Sequence, residues 1–171
     1  MTTTSTSSDV IDAAVALAAN EPTWALRRQR EKVVAATQGS YDAMFSPAVE
    51  GLSVSERLLV ALHACRVSKA HGLAAHYRDR LLADGADGAV VAAVDAGNPA
   101  VADARLQAVL AFTGKLIERP IEGDKAAVQS LADSGLSTPA IVAMSQLIAF
   151  LSYQIRVAAG LKALAAVEAS A

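Results

Sequence analysis

The sequence predicts an all-α protein, a multi-helix bundle. Apolar residues recur at helical spacing through most of the 171 residues, and no segment shows the alternation typical of a strand. Capping residues, glycines and prolines divide the chain into segments with short connections, which is the pattern of a bundle. Many of the 53% hydrophobic residues are alanine, which favours helix.

The first third of the chain predicts two helices and a link. Ser8 is expected to cap a helix over "DVIDAAVALAA", and Pro22 is expected to open a second helix that runs to Gly39. Residues 41–45 then form a short apolar link that ends at Pro47.

A capping box opens the next helix. In "SVSE", Ser53 occupies the N-cap and Glu56 the third helical position, so each can satisfy a free backbone N–H of the other. A second segment continues to Gly85, and Gly72 is the expected kink or break between the two.

Four further segments complete the bundle. A short helix is closed by residues 97–99, a long amphipathic helix is stopped by Pro120, and another ends at Gly135. Ser137 is expected to cap one long helix or two. We therefore expect a disordered tail over residues 1–8, a helical extension over 9–50 and the main helical domain over 51–171.

The composition restricts the classes of partner that this protein could bind. Fifteen basic and 17 acidic residues leave a net charge of −2, which argues against a nucleic-acid interface. The cluster "RRQREK", Arg27 to Lys32, also carries Glu31 and is expected to be a solvated helix face. The mean hydropathy of +0.34 is high, and such an aliphatic surplus often continues into a subunit interface. We expect an oligomer.

The number of cysteines and the lengths of the apolar segments predict the cellular location. The single cysteine suits a reducing cytoplasm, and the Ser/Thr-rich start lacks the pattern of a signal peptide. The most apolar window, "AIVAMSQLIAFL", is interrupted by Ser145 and Gln146 and is shorter than the ~20 residues of a membrane span. A cytoplasmic protein without a membrane segment is expected.

The cysteine and histidines in "SERLLVALHACRVSKAHGLAAHYRDRL" are the residues that could carry chemistry. Cys65 shares a helix face with Leu58 and Leu62, which is typical of a small buried hydrophobe, whereas reactivity would need exposure and a lowered pKa. His71 and His76 lie about 140° apart around a helix, and no Asp or Glu completes a ligand set. Neither a metal nor a cofactor is expected.

The order of motifs resembles the carboxymuconolactone decarboxylase / alkylhydroperoxidase D superfamily. "SERLLVALHA" is similar to the lead-in helix of that family, and "AHGLAAHY" falls where its C-x-x-C redox motif stands. The resemblance continues through "LQAVLAFTGKL" and "LADSGLSTPAIVAMSQLIAFL" to "YQIRVAAGL", and it covers residues 52–164.

The resemblance also identifies what is missing. It places the two redox cysteines at Ala70 and Leu73 and the proton-relay glutamate at Leu58, and all three residues here are aliphatic. A disulfide-forming peroxidase needs an attacking and a resolving thiol, and neither position has sulfur. The first hypothesis is therefore a non-peroxidase subunit. It would assemble with itself as a trimer or hexamer, as the family commonly does, or with a cysteine-bearing paralogue.

Two alternatives remain open. The lactone decarboxylases of the superfamily also lack the cysteine pair, so acid–base chemistry is the second hypothesis. His76 would be the general acid or base, assisted by His71 or Tyr77, and Arg156 would receive a substrate carboxylate. The third is small-ligand binding, or residual oxidoreductase activity, at the pocket of aliphatic positions.

Overall fold

A computed structural model describes residues 9–98, 101 and 103–170. Within them lie nine α-helices, one 3₁₀ turn and no strand, which confirms the all-α prediction. The elements are α1 Val10–Val15, α2 Pro22–Arg28, α3 Glu31–Met44, α4 Val54–Val67, α5 His71–Ala83, α6 Gly88–Asp95, α7 Ala104–Glu118, the 3₁₀ turn Pro120–Glu122, α8 Lys125–Asp133 and α9 Thr138–Glu168. The predicted tail over residues 1–8 lies outside the described residues.

Helix α4 is the centre of the bundle, because α5, α6, α7 and α9 all pack against it. Nine consecutive residues, 57–65, are buried, so α4 is covered on all sides. The predicted capping box is present: the Ser53 hydroxyl accepts from the Glu56 N–H at 3.1 Å, and the Glu56 carboxylate accepts from the Ser53 N–H at 2.7 Å. Local sequence therefore determines where the central helix begins.

The second predicted helix is in fact two. Helix α2 ends at Arg28, and α3 begins at Glu31 and continues past Gly39 to Met44, so the expected apolar link is mostly the last turn of α3. A contact with the end of α9 holds the first turn of α2. The Glu168 carboxylate at the end of α9 accepts hydrogen bonds from the N–H and hydroxyl of Thr23, at 3.1 and 2.6 Å, and so fixes the start of α2.

Arg27 corrects the prediction of a solvated basic face. Its side chain is only 8% exposed and forms ion pairs with Asp9 and Asp12 of the first helix. Asp9 also caps α1, since its carboxylate accepts from the N–H groups of Ile11 and Asp12. Arg27 therefore couples α2 to α1, while the neighbouring residues 30–32 are exposed as expected.

The break between α4 and α5 lies at residues 68–70, before the predicted position at Gly72. Lys69 adopts a left-handed conformation with φ of 57°, and the N–H groups of Lys69 and Ala70 bond to the carbonyls of Arg66 and Cys65. This is a Schellman motif with lysine at the position where glycine is usual. Gly72 lies inside α5, where α1 approaches it closely.

Helix α9 is one continuous helix of 31 residues that begins at the predicted Ser137 cap. By length and composition it could cross a membrane, with a hydropathy of 1.4 over its most apolar stretch, of which 39% is buried inside the protein. A core helix of a bundle meets the same criterion. Here Met144, Leu147 and Leu151 pack into the core.

Candidate functional site

Cys65 lies in the hydrophobic core, on the α4 face that its spacing from Leu58 and Leu62 predicts. The side chain is 0% exposed, and burial raises the pKa of the thiol far above its usual range. The charge of the neighbouring Arg66 opposes this shift without reversing it, and the Arg66 guanidinium is bound to Asp95 at 2.5–2.8 Å. The thiol is therefore protonated and inaccessible to a peroxide or a second thiol.

The three positions where the resemblance places redox residues do not form one pocket. Leu58 is fully buried in the core, while Ala70 and Leu73 line a groove of about 260 Å³ at the break between α4 and α5. The N-terminal helix α1 contributes Ala14 and Val15 to the other wall. The predicted helical extension thus forms part of the groove.

His76 lies in a hydrogen-bonded chain that the sequence did not predict. The Arg80 guanidinium donates to the Tyr41 hydroxyl at 2.7 Å, and the distance from that hydroxyl to Nε2 of His76 is 2.8 Å. Because the Tyr41 oxygen accepts from Arg80, its own proton is available to Nε2 of His76. This arrangement corresponds to the neutral imidazole with its proton on Nδ1.

The surroundings favour that neutral form. Burial lowers the pKa of His76, and the nearby Arg80 cation lowers it further. Burial also raises the pKa of Tyr41, although the hydrogen bond and charge of Arg80 oppose the shift. The chain therefore consists of a charged guanidinium, a protonated phenol and a neutral imidazole.

The surroundings of Tyr77 indicate a structural role. Its ring is fully buried, and its hydroxyl donates to the Gln154 side chain of α9 at 2.5 Å. Burial raises the pKa of Tyr77 well above its ordinary value. The ring packs on His76 at 5.1 Å between centroids, so Tyr77 supports the imidazole and joins α5 to α9.

His71 and Arg156 do not join this chain. His71 is exposed at the beginning of α5 and lines the groove beside Ala70 and Leu73. Arg156 is exposed on α9 and does not line that groove. The structure therefore places the predicted catalytic residues in three places, and Tyr41 and Arg80 are the partners that sequence reasoning missed.

Arg80 could have been found, since it follows His76 by four residues and so shares its helix face. Tyr41 could not, because it comes from α3, 35 positions away in sequence.

His63 is the third histidine and lies apart from the others. It is buried between α4 and α7, where a Cβ added at Gly114 would approach its Nε2 to 3.2 Å. Its Nδ1 has no hydrogen-bond partner among the described residues, and burial lowers the pKa of His63. No group of three His, Cys, Asp or Glu side chains that could hold a metal is found in the described ranges.

No family model matches this chain, and no curated protein sequence matches it. The resemblance stated above therefore rests on the quoted motifs alone, and the function is argued below from the geometry.

Proposed function

We propose that this chain is a non-peroxidase member of the carboxymuconolactone decarboxylase / alkylhydroperoxidase D-like superfamily that acts as a cytoplasmic, oligomeric subunit without a membrane segment. The observation that carries the proposal is the absence of an accessible, ionisable thiol. The only thiol, Cys65, is 0% exposed and its pKa is raised, while the two positions that would hold a redox pair are Ala70 and Leu73.

Thiol peroxidase chemistry requires a thiolate that can reach the peroxide and a second thiol that resolves the sulfenic acid. This chain supplies neither group, since a protonated, enclosed thiol is a poor nucleophile.

A peroxide-reduction assay with a dithiol donor tests the proposal. We expect no turnover above the uncatalysed rate for the wild type, and the same result for Cys65→Ser. Turnover in the wild type that disappears in Cys65→Ser would contradict the proposal and restore a redox role.

One exposed side of α9 supports assembly with a second copy. Its residues are spaced alternately by four and three, as in the seam of a coiled coil. The members of this outer face of α9 are Val142, Gln146, Ala149, Tyr153, Arg156, Gly160, Ala163 and Val167, and all of them are exposed. Only Arg156 is charged, and the small residues would allow another helix to approach closely. The trimer or hexamer implied by the resemblance would bury this face, as would a cysteine-bearing paralogue.

Ala149→Glu is expected to convert the oligomer to a monomer, because it buries a carboxylate at the centre of the proposed seam. Light scattering after gel filtration measures the mass. Ala126→Glu, on an exposed turn of α8, is the matched control and should leave the oligomer intact. A wild-type protein that is monomeric at all concentrations would contradict the assembly.

The chain of Arg80, Tyr41 and His76 favours a second candidate function, acid–base catalysis of the decarboxylase or isomerase type. With Nε2 held by the Tyr41 phenol at 2.8 Å, the Nδ1–H of the neutral imidazole is suited to donate a proton to a substrate, while Nε2 takes the Tyr41 proton and the Arg80 cation stabilises the resulting phenolate. His76 is partly buried, and its Nδ1 has no hydrogen-bond partner in the described part of the chain. Neither His71 nor Arg156 is placed to assist.

Arg80→Gln is expected to raise the pKa of His76 towards the ordinary histidine value of about 6.5, because it removes the neighbouring cation. NMR titration of the imidazole protons measures the shift. His63 provides an internal control, since Arg80 is not among the groups that affect its pKa. An unchanged His76 titration would mean that Arg80 does not tune the imidazole.

A further inference from the structure

Three cationic or titratable side chains from two parts of the fold border the groove at the break between α4 and α5. Lys69 and His71 come from the break itself, and Lys162 comes from α9. The groove is lined by Ala14, Val15, Ser68, Lys69, Ala70, His71, Gly72, Leu73, Ile155, Ala158, Ala159 and Lys162, with no acidic side chain among them. Its charge is thus opposite to the net charge of −2 of the whole chain.

The two lysines are available to a ligand. Both are exposed, and neither forms an ion pair with any residue in the described ranges, where every ion pair is made by an arginine. The beginning of α5 lies on the same side and adds the positive end of a helix dipole. A negative charge in the groove would therefore be stabilised by both lysines and by the N-terminus of α5.

The rest of the groove is apolar. Leu73, Ile155 and Ala158 are buried residues that form its floor, and Val15 packs at its edge. A volume of about 260 Å³ exceeds the ~150 Å³ that accommodates a benzene ring, so about ten non-hydrogen atoms would fit. The site thus combines a hydrocarbon floor with a cationic rim.

Lys69 is held at the rim by the backbone. Its φ of 57° lies in the left-handed region, where glycine is favoured, and two main-chain hydrogen bonds fix the turn. A glycine would suit this position better than lysine for the fold alone. Lys69→Gly consequently removes the ammonium group while keeping the turn.

We propose that this groove binds a small organic anion, a carboxylate or a phosphate monoester with an apolar body, between Lys69 and Lys162. The site goes beyond the proposed subunit role, since binding needs neither a thiol nor a second copy. A peroxide assay or a mass measurement could therefore fail while this proposal stands, and the reverse also holds.

The test is fluorine NMR titration of the full chain with 4-fluorobenzoate, 4-fluorophenyl phosphate and the uncharged 4-fluorobenzamide. We expect at least one anion to bind, the amide to bind about tenfold more weakly or not at all, and Lys69→Gly and Lys162→Gln each to weaken the anion by about three- to tenfold. The anion that binds more tightly shows whether the groove prefers a carboxylate or a phosphate monoester. Lys32→Gln, which removes an exposed lysine beside the groove between α3 and α9, should leave binding unchanged.

Three results would overturn the proposal: no binding of either anion, equal binding of the amide, or an equal loss in Lys32→Gln, which would indicate unspecific attraction. Circular dichroism of each variant confirms that the fold is retained.

Discussion

Arg57→Met is expected to lower the free energy of unfolding by about 2–5 kcal/mol, because two buried carbonyls would lose their donor at a cost of about 1–3 kcal/mol each. The Arg57 side chain lies at the beginning of α4, and the residue is only 1% exposed. Burial lowers the pKa of its guanidinium, and no carboxylate in the described chain forms an ion pair with it. Its charge is stabilised by backbone carbonyls instead.

Those carbonyls belong to the end of α3 and to the connection that follows. The Arg57 guanidinium donates to Ser46 at 2.8 Å, to Leu52 at 3.2 Å and to Ser53 at 3.3 Å, and it also donates to Met44. Met44 is the last residue of α3, so its carbonyl has no partner within the helix. Methionine would fill much of the space, but the carbonyls of Met44 and Leu52 would lose their donor, whereas those of Ser46 and Ser53 keep the N–H groups of Val49 and Arg57.

Chemical denaturation followed by circular dichroism measures the effect. Arg105→Met is the control: Arg105 also donates to a backbone carbonyl, that of Gly51 at 2.7 Å, but its side chain is 35% exposed. A loss below about 1 kcal/mol is expected there. Equal losses in the two variants would contradict the role assigned to Arg57.

Gly72→Ala is expected to destabilise the protein by about 1–3 kcal/mol, the cost of overpacking a well-packed contact. A Cβ at Gly72 would lie 2.0 Å from the carbonyl oxygen of Ala14 and 3.0 Å from its carbon. Both atoms belong to backbone, so α1 must move away from α5. The gain in helix propensity, about 1 kcal/mol, opposes this loss without cancelling it.

Gly39→Ala is expected to stabilise the protein, in contrast to Gly72→Ala. Gly39 lies within α3, and a Cβ there meets nothing within 4 Å, so only the propensity gain of about 0.5–1 kcal/mol remains. Thermal unfolding of the two variants should therefore shift in opposite directions. If Gly72→Ala is as stable as the wild type, α1 does not pack against α5 as described.

The sequence predicted features that depend on neighbouring residues. The box of Ser53 and Glu56, the cap at Ser137 and the position of Cys65 on its leucine stripe all follow from local spacing. Gly72 was misplaced because a glycine that permits close helix approach has the same sequence signature as one that breaks a helix. The distinction depends on α1, which is far away in sequence.

The candidate site could be predicted only in part, because its residues are far apart in sequence. The phenol beside His76 comes from α3, and the walls of the groove come from α1, the α4–α5 break and α9. Lys69 and Lys162 gave no signal, since isolated lysines are usual on helix surfaces and only the fold brings them to one groove.

The most direct test of the claim that this chain lacks thiol chemistry is the reaction of Cys65 with an aromatic disulfide reagent at pH 8. The account predicts essentially no reaction in the native protein and release of one equivalent after unfolding in guanidinium. A native thiol that reacts as fast as free cysteine would show Cys65 to be open and ionisable, and the non-peroxidase proposal would fall with that result.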